Sequence, residues 1–310
     1  MTTSENFWDE HLLWAKSLSY MDQALKQDRT SWLFPFWATL SLDFLARSAL
    51  AHVSPTLLAS TKTAGEATNN LFYALGYPKR ADPKSIDSTE VFSRCERMID
   101  SFSAEHRVSC GALLDRRNEE LHSGGAPFND LKDKTWLPQF YECCSILLAS
   151  IERPLEDLLG PEEAVAALAM IKSANDEAAK SVKGDIAAAR KIWLERPEQE
   201  RTDAVKLALT ISDRSLGHVV DCPACSSKAL LYGEEVSSFP NEVNGDEIIT
   251  KSTILPTRFE CKACGLTIKG HNRLHHVEDA DLGSTFTRTR RFDVADYYNL
   301  VPAYEEDYNE

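Results

Sequence analysis

The sequence predicts a mainly α-helical protein that carries a small β-rich module near its C-terminus. Apolar residues recur every three or four positions through most of the first 215 residues, which is the spacing of one helix face. Two Cys-x-x-Cys pairs follow, together with a segment that alternates like a strand. The predicted organisation is a helical domain at 1–160, a helical arm or linker at 161–216, a β-rich module at 217–295 and an acidic, tyrosine-rich tail at 296–310.

Helical patterns cover most of the N-terminal domain. They predict helices at 5–27, 32–53, 65–76, 89–102 and 104–122. A further pattern at 131–159 predicts one helix that starts near Pro138 and ends before Gly160. The Ala-, Glu- and Lys-rich arm has apolar residues at helical spacing, and we expect Gly184 and Pro197 to divide it. It could be a spacer, additional bundle helices or a partner-binding coiled arm.

The end of the fifth predicted helix carries three groups suited to phosphodiester chemistry. Asn118 and His122 are four residues apart, and Arg117 can reach toward them from the neighbouring face. Gly124 or Gly125 is expected to supply a left-handed residue that ends the helix. A histidine exchanges protons near neutral pH and an arginine can hold phosphate oxygens in a bidentate fork. This set therefore suits RNA cleavage without a catalytic metal.

Ordinary structural roles remain open for the same residues. Arg117 lies on the apolar stripe of its helix, where a guanidinium needs a partner, and it could cap carbonyl groups or pair with Glu119 or Glu120. Asn118 could be a surface residue, and His122 could be a histidine that is placed at a helix end by the helix dipole.

The sequence Arg117-Asn118-x-x-x-His122 in a helical domain resembles the signature of the HEPN superfamily, an all-helical fold found in many prokaryotic defence and toxin ribonucleases. Residues 40–55 resemble the early helix of that fold and residues 110–125 its motif helix, so the resemblance covers about the first 160 residues. It implies a HEPN-like bundle and a homodimer in which two motif helices form one composite cleft. It also implies products with 2′,3′-cyclic phosphate ends.

The resemblance assigns roles residue by residue. Arg117 and His122 become the catalytic pair and Asn118 the positioning residue. Asp43 is a supporting candidate, although it could instead pair with Arg47 at the i+4 position. Arg116 also precedes the histidine at a spacing that the family tolerates. The adjacent asparagine favours Arg117, which leaves Arg116 as a surface or phosphate contact.

Three function classes follow from these patterns. The first is a toxin-like endoribonuclease of bacterial defence or stress, with RNA as its substrate and an antitoxin or a phage-derived trigger as a candidate regulator. The second is a non-catalytic HEPN-like dimer that senses or scaffolds, while its C-terminal module binds nucleic acid or a protein. A DNA-binding regulator is disfavoured because the chain has a net charge of −14 and no basic recognition helix.

The two Cys-x-x-Cys pairs predict a structural zinc site in the C-terminal module. Cys222, Cys225, Cys261 and Cys264 can supply four thiolates to one tetrahedral ion, and such a closed site leaves no position for catalytic water. A disulfide framework is the alternative, and it is disfavoured by the expectation that this protein has no signal peptide. The four other cysteines fall in helical patterns: Cys95, Cys110, Cys143 and Cys144.

The remaining features of the C-terminal module concern strands and charge. A β-hairpin with an acidic excursion at 233–245 and a closing strand at 284–294 are predicted. The acidic tail is either a frayed terminus or a mimic that occupies a basic RNA cleft. Local RNA contacts or ordinary solvated groups are expected at Lys262, Lys269, Arg273, Arg288, Arg290 and Arg291, and surface positions or nucleic-acid contacts at His218, His271, His275 and His276.

No apolar run approaches the roughly 18–20 residues that span a bilayer. The expected location is therefore the cytoplasm, with no membrane partner.

Overall fold

The computed structural model describes residues 6–77, 82–131, 133–214, 217–277 and 280–298. The chain folds into two compact units, Met1–Ala174 and Asn175–Glu310. The first is helical, and the second combines helices with a small antiparallel sheet. The prediction of a mainly α-helical chain with a β-rich C-terminal module is confirmed. Residues 299–310, which make up most of the predicted tail, lie outside the described residues.

The helices of the N-terminal unit follow the predicted pattern closely as far as residue 122. A short 3₁₀ turn at Pro55–Leu58 follows the second helix. The first five helices are α1 (Glu10–Leu25), α2 (Leu33–Val53), α3 (Ala64–Ala74), α4 (Ser88–Met98) and α5 (Ala104–His122).

Helix α2 forms the centre of the N-terminal core. Its sequence is apolar on nearly every side, which is the pattern of a helix that is buried all round, and Ala38, Leu42 and Leu45 are fully buried. Small hydroxyl residues let α1 approach it, because the Ser17 and Ser41 side chains bond each other at 3.1 Å. Asp43 is the one acidic residue in this helix. A buried carboxylate needs a positive charge or hydrogen-bond donors beside it, so polar partners are expected around Asp43.

The predicted helix at 131–159 is wrong in two respects. It divides into α6 (Asp133–Ala149) and α7 (Glu156–Leu159). Glu152 adopts a positive φ of 56° and Pro154 follows, so the chain cannot continue as a helix there. Pro138 lies inside α6 and not at its start. The buried side chains of Trp136, Leu137 and Phe140 around it contribute packing that offsets the hydrogen bond that proline cannot donate.

The alanine-rich segment forms two long helices, α8 (Pro161–Glu195) and α9 (Glu198–Arg214). Pro197 separates them as predicted. The predicted break at Gly184 is wrong, because α8 continues through it. One glycine costs a helix only about 1 kcal/mol, which the packing of neighbouring residues such as Val182 and Ala189 can offset. The division between the two compact units falls inside α8, whereas the sequence pattern predicts a domain limit at residue 161, where this helix starts.

The sheet of the C-terminal unit is built around one long central strand. The elements are β1 (His218–Asp221), β2 (Lys228–Ser238), β3 (Glu242–Asn244), β4 (Glu247–Glu260), β5 (Thr267–Lys269), α10 (His271–His275), β6 (Phe286–Asp293) and α11 (Val294–Tyr298). Strand β4 pairs antiparallel with β2, β3, β5 and β6, and β1 pairs with β2. The predicted hairpin and the predicted closing strand are both confirmed. The predicted excursion at 233–245 is wrong in its extent, because β2 continues to Ser238 and β3 covers Glu242–Asn244, both paired with β4.

Gly233 lies within β2 and not in a loop. The register shifts between Tyr232 and Gly233, and a Cβ at Gly233 would stand 2.1 Å from the Leu255 carbonyl oxygen. Only glycine fits this irregularity, which lets the strand remain against β4.

The core of the C-terminal unit includes residues from the predicted arm. Val182, Ala189 and Trp193 of α8 pack in one cluster with Leu231 and Phe259 of the sheet. The C-terminal half of α8 is therefore part of the core of the six-stranded sheet and its two Cys-x-x-Cys turns, which we call the ribbon. Within the described residues, no helix is both long enough and apolar enough to cross a membrane.

Candidate active and metal sites

Helix α5 presents the Arg-Asn-His motif at its C-terminal end. Its start is fixed by a capping box in which Ser103 and His106 bond each other's backbone and side-chain atoms. His122 is the last helical residue, and the Ser123 N–H still donates to the Glu119 carbonyl oxygen at 2.9 Å. The predicted glycine ending is wrong, because Ser123 leaves the helix in an extended conformation with φ −130°. Neither Gly124 nor Gly125 has a positive φ.

Arg117 is a half-buried cation with few partners. Its Nη2 atom lies 3.4 Å from the Ser88 hydroxyl, which is a weak hydrogen bond. Its Nε atom is buried and has no hydrogen-bond partner among the described residues. In the same part of the chain it forms no ion pair with Glu119 or Glu120, so the pairing considered as its alternative role is not seen.

Ser88 joins Arg117 to a buried ion pair. Asp43 accepts from Arg47 Nε at 3.0 Å, and the two side chains are only 7% and 12% exposed. The other Asp43 oxygen accepts from the Ser88 hydroxyl at 2.7 Å. The i+4 pairing of Asp43 with Arg47 is therefore confirmed, and Asp43 lies one hydroxyl away from Arg117. The sequence does not predict a role for Ser88, because nothing but its place at the start of α4 distinguishes this serine from others.

Asn118 and His122 lie on the exposed side of the same helix. Neither side chain has a hydrogen-bond partner in the described part of the chain. Between them Leu121 leaves 54% of its surface exposed. One copy of the chain therefore divides the motif: Arg117 points toward Ser88, while Asn118 and His122 face outward.

Arg116 has a different local role. Its Nη1 atom makes a short hydrogen bond to the Pro127 carbonyl oxygen. This contact ties α5 to the loop that follows it and satisfies part of the guanidinium. This hydrogen bond gives Arg116 a structural role that Arg117 lacks.

The four predicted zinc ligands converge in the C-terminal unit. The sulfur atoms of Cys222, Cys225, Cys261 and Cys264 all lie within 4.8 Å of one another. Two of the separations are 3.6 Å (Cys222–Cys264) and 3.5 Å (Cys225–Cys261). Zinc–sulfur bonds of about 2.3 Å in a tetrahedron place sulfurs about 3.8 Å apart, whereas a disulfide requires about 2.05 Å. The cluster fits a tetrahedral metal ion and not a disulfide pair.

Both Cys-x-x-Cys knuckles have the same backbone design. In each, the N–H of the first cysteine bonds the carbonyl five residues later, and its carbonyl accepts from the N–H four residues later. The residue after the second cysteine is left-handed: Ser226 at φ 59° and Gly265 at φ 83°. The bonds, all 2.9 Å, join Cys222 N to Ser227 O, Ser226 N to Cys222 O, Cys261 N to Leu266 O and Gly265 N to Cys261 O.

The sulfurs perturb one another's ionisation. Hydrogen bonding with Cys222 lowers the pKa of Cys225 strongly and that of Cys261 to about 7, while the pKa of Cys222 is raised. Four thiolates this close would repel each other unless a cation neutralised them. The donor set therefore suits a thiophilic dication that binds all four sulfurs as thiolates.

The nearby histidines do not join this cluster. His218 and His275 are exposed, whereas His271 and His276 are partly buried. Burial lowers the pKa of His271 and of His276, so both favour the neutral imidazole. His271 Nδ1 lies 2.9 Å from the Pro256 carbonyl oxygen, which gives that ring a structural role.

No protein-family model, curated protein or solved structure matches this chain.

Proposed function

We propose that this chain is a metal-independent endoribonuclease in which Arg117, Asn118 and His122 act in a cleft completed by a second copy of the chain. The observation that carries this proposal is Arg117, a half-buried guanidinium whose Nε atom has no partner within the described residues. Burying part of a charge without a carboxylate is costly, and such a group persists where an anion binds during function. An RNA phosphate is an anion that a guanidinium binds well.

The Ser88 junction would position this guanidinium. Asp43 and Arg47 fix the Ser88 hydroxyl, which leaves that hydroxyl's oxygen to accept from Arg117 Nη2. Asp43 then acts through Ser88 as a positioning residue and makes no contact with substrate. The remaining N–H groups of Arg117 would stabilise charge on the phosphate.

The reaction uses only groups that the motif supplies. A His122 imidazole takes the proton from the ribose 2′-hydroxyl, and the resulting oxygen attacks the adjacent phosphorus. The bond from phosphorus to the 5′-oxygen breaks, and that oxygen takes a proton from the imidazolium of a second His122. The products are a 2′,3′-cyclic phosphate and a free 5′-hydroxyl. Asn118 orients the imidazole or the ribose.

Two copies would be needed because one copy does not bring the three groups together. Asn118 and His122 face outward, and the exposed Leu121 between them offers an apolar contact for a second α5 helix. Packing two such faces would bury Leu121 and bring both imidazoles to one cleft. This is the composite arrangement that the HEPN resemblance implies.

Zinc would have a structural role in the second unit. The four sulfurs would complete its coordination, which leaves no open position for water or substrate. Bound zinc would hold β1, β2, β4 and β5 together through the two knuckles. Each knuckle lies at a strand end, since Cys222 follows β1 and Cys261 follows β4.

The test uses full-length wild type and His122→Ala with total cellular RNA in EDTA for a short time. Wild type should release 2′,3′-cyclic phosphate ends, and His122→Ala should lose this activity by a factor of at least about 100. His11→Ala is the matched control, because His11 is also exposed and lies in the same unit. Equal activity in all three proteins would overturn the assignment of His122.

A non-catalytic function is the alternative that one observation favours. The exposed and unpartnered motif residues suit a sensing or scaffolding dimer as well as an enzyme. If wild type cleaves no RNA, with or without extract from phage-infected cells to supply a trigger, the sensing dimer becomes the better account.

A further inference from the structure

We infer that strand β6 carries a binding strip for single-stranded RNA, formed by Phe286, Arg288, Arg290 and Phe292. The strip lies in the second compact unit and is separate from the α5 motif in sequence. It goes beyond the proposed cleavage reaction, although both take RNA as their ligand. Binding by the strip does not require cleavage, so the two ideas can fail independently.

The strand register places these four side chains on one face of the sheet. Strand β6 pairs with β4 without a register shift, from Phe286 opposite Ile254 to Asp293 opposite Glu247. Alternate residues of a strand point to the same side, so residues 286, 288, 290 and 292 share a face. Their spacing covers about 20 Å along the strand. This length suits a short single strand of on the order of four nucleotides.

The two arginines of the strip lack acidic partners. Directly opposite them on β4 stand Ser252 and Thr250, which carry no charge. In the described part of the chain neither Arg288 nor Arg290 forms an ion pair, and Arg288 Nε is buried without a hydrogen-bond partner. Two uncompensated guanidiniums are notable in a chain whose net charge is −14.

Two other cations of the same unit have acidic partners. Arg291, on the opposite face of β6, pairs with Glu247 at 3.3 Å. Lys262 pairs with Glu260 at 3.0 Å. Within the described part of β6, the two faces therefore differ: Arg291 has an acidic partner, whereas Arg288 and Arg290 have none.

Aromatic rings flank the two arginines. Phe286 stacks on His218 with ring centroids 4.5 Å apart and an interplanar angle of 16°. At the other end Phe292 contacts Tyr297 edge-on at 5.5 Å, and Asn241 fixes that tyrosine by donating to its hydroxyl at 2.8 Å. His218 and Tyr297 are exposed, so each end of the strip offers a supported ring on which a base can stack.

Along the strip two arginines lie between two aromatic residues, and this arrangement indicates which kind of ligand it binds. A single-stranded nucleic acid presents both phosphates for guanidiniums and unpaired bases for rings. A duplex hides its bases from a flat sheet face, so it would use only the two charges. We choose RNA as the ligand because it is the substrate of the proposed reaction, and this choice rests on the proposed function.

The experiment measures RNA binding without cleavage. Full-length, zinc-loaded His122→Ala protein is titrated into a fluorescein-labelled oligouridylate of about 12 nucleotides, and anisotropy is followed at several salt concentrations. Replacing both Arg288 and Arg290 by glutamine should weaken binding by about tenfold or more at low salt. It should also make the slope of log affinity against log salt concentration shallower, by the amount expected for about two lost phosphate contacts.

Arg291→Gln is the control, because it removes one positive charge from the opposite face of the same strand, where the double variant removes two. It should change affinity by less than about twofold. Zinc content and circular dichroism confirm that each variant is folded. Equal weakening by Arg291→Gln, or no weakening by the double variant, would overturn the strip.

Two further outcomes separate the ideas. Tighter binding of the double-stranded form of the probe would refute the single-strand assignment. If the strip variants bind normally while wild type cleaves RNA, only the strip is refuted. If the strip binds as expected while wild type leaves RNA intact both with and without the extract from phage-infected cells, the ribonuclease is refuted and the strip stands.

Discussion

The four-cysteine cluster and the α5 motif both begin as short sequence signatures, but the fold completes only one of them within a single chain. Cys222 and Cys264 are 42 positions apart, yet their sulfurs lie 3.6 Å from each other. Arg117, Asn118 and His122 lie within six positions, yet their side chains point to different surroundings. Closeness in sequence therefore did not bring functional groups together, whereas strand pairing did.

The geometry of a helix explains this difference. Successive residues of an α-helix project about 100° apart, so Arg117 and Asn118 cannot share a face. In the ribbon, by contrast, the backbone turns back on itself at each knuckle, and antiparallel pairing brings the two knuckles together. The cysteine cluster is complete in one copy of the chain. The α5 motif needs another element, which we propose is a second α5 helix.

The largest predicted effect concerns metal removal. Cys261→Ala should lose the bound zinc and unfold the ribbon, because structural zinc contributes on the order of 10 kcal/mol to the folding of small domains. Hydrogen exchange over residues 217–277 should then become fast, while exchange in α2 stays slow. Elemental analysis supplies the zinc content.

Cys110→Ala removes a buried thiol outside the four-cysteine cluster, and this control should retain one zinc per chain. Slow exchange in the ribbon of the Cys261→Ala protein would show that the cluster does not hold the unit together.

The next effect concerns the buried pair behind Arg117. Asp43→Ala should lower the free energy of unfolding by about 3 kcal/mol, because it leaves Arg47 buried without its partner. Urea denaturation followed in the N-terminal unit measures this loss. Arg47→Ala and the double variant complete a cycle whose coupling energy isolates the pair. Full stability of Asp43→Ala together with lost cleavage would show that Asp43 acts on substrate and not through Ser88.

The sequence predicted the two sites to different degrees. Cysteine spacing identified all four members of the cluster, because each Cys-x-x-Cys knuckle is a local turn and few residue types can act as metal ligands. The apolar period also located α5 well. It could not locate Ser88, whose role depends on how α4 packs beside α2. Nor could it show that Gly184 lies inside α8, since the stabilising contacts come from Phe259 and other sheet residues that are distant in sequence.

A smaller effect separates Arg117 from its neighbour. Arg117→Met should raise the stability of the N-terminal unit by about 1 kcal/mol while abolishing cleavage, because it removes a half-buried cation with no carboxylate partner. Arg116→Met should give no such gain, since Arg116 bonds the Pro127 carbonyl. Thermal unfolding and RNA cleavage are measured on both variants. A destabilised Arg117→Met protein would indicate that Arg117 contributes to the fold.

The smallest effect tests how closely the two knuckles match. Ser226 and Gly265 occupy the same left-handed position, but only glycine adopts it without steric cost. A Cβ at Gly265 would meet nothing within 4 Å, so Gly265→Ser introduces backbone strain alone and should cost about 1 kcal/mol. Ser226→Gly should add about 0.5 kcal/mol, because the relieved strain exceeds the added flexibility of the unfolded chain. Competition with a chromophoric chelator measures the zinc affinity of each protein. Ser226→Ala is the control that removes the hydroxyl while it keeps a Cβ at the left-handed position. If Gly265→Ser binds zinc as tightly as wild type, the left-handed conformation at residue 265 is not needed for zinc binding.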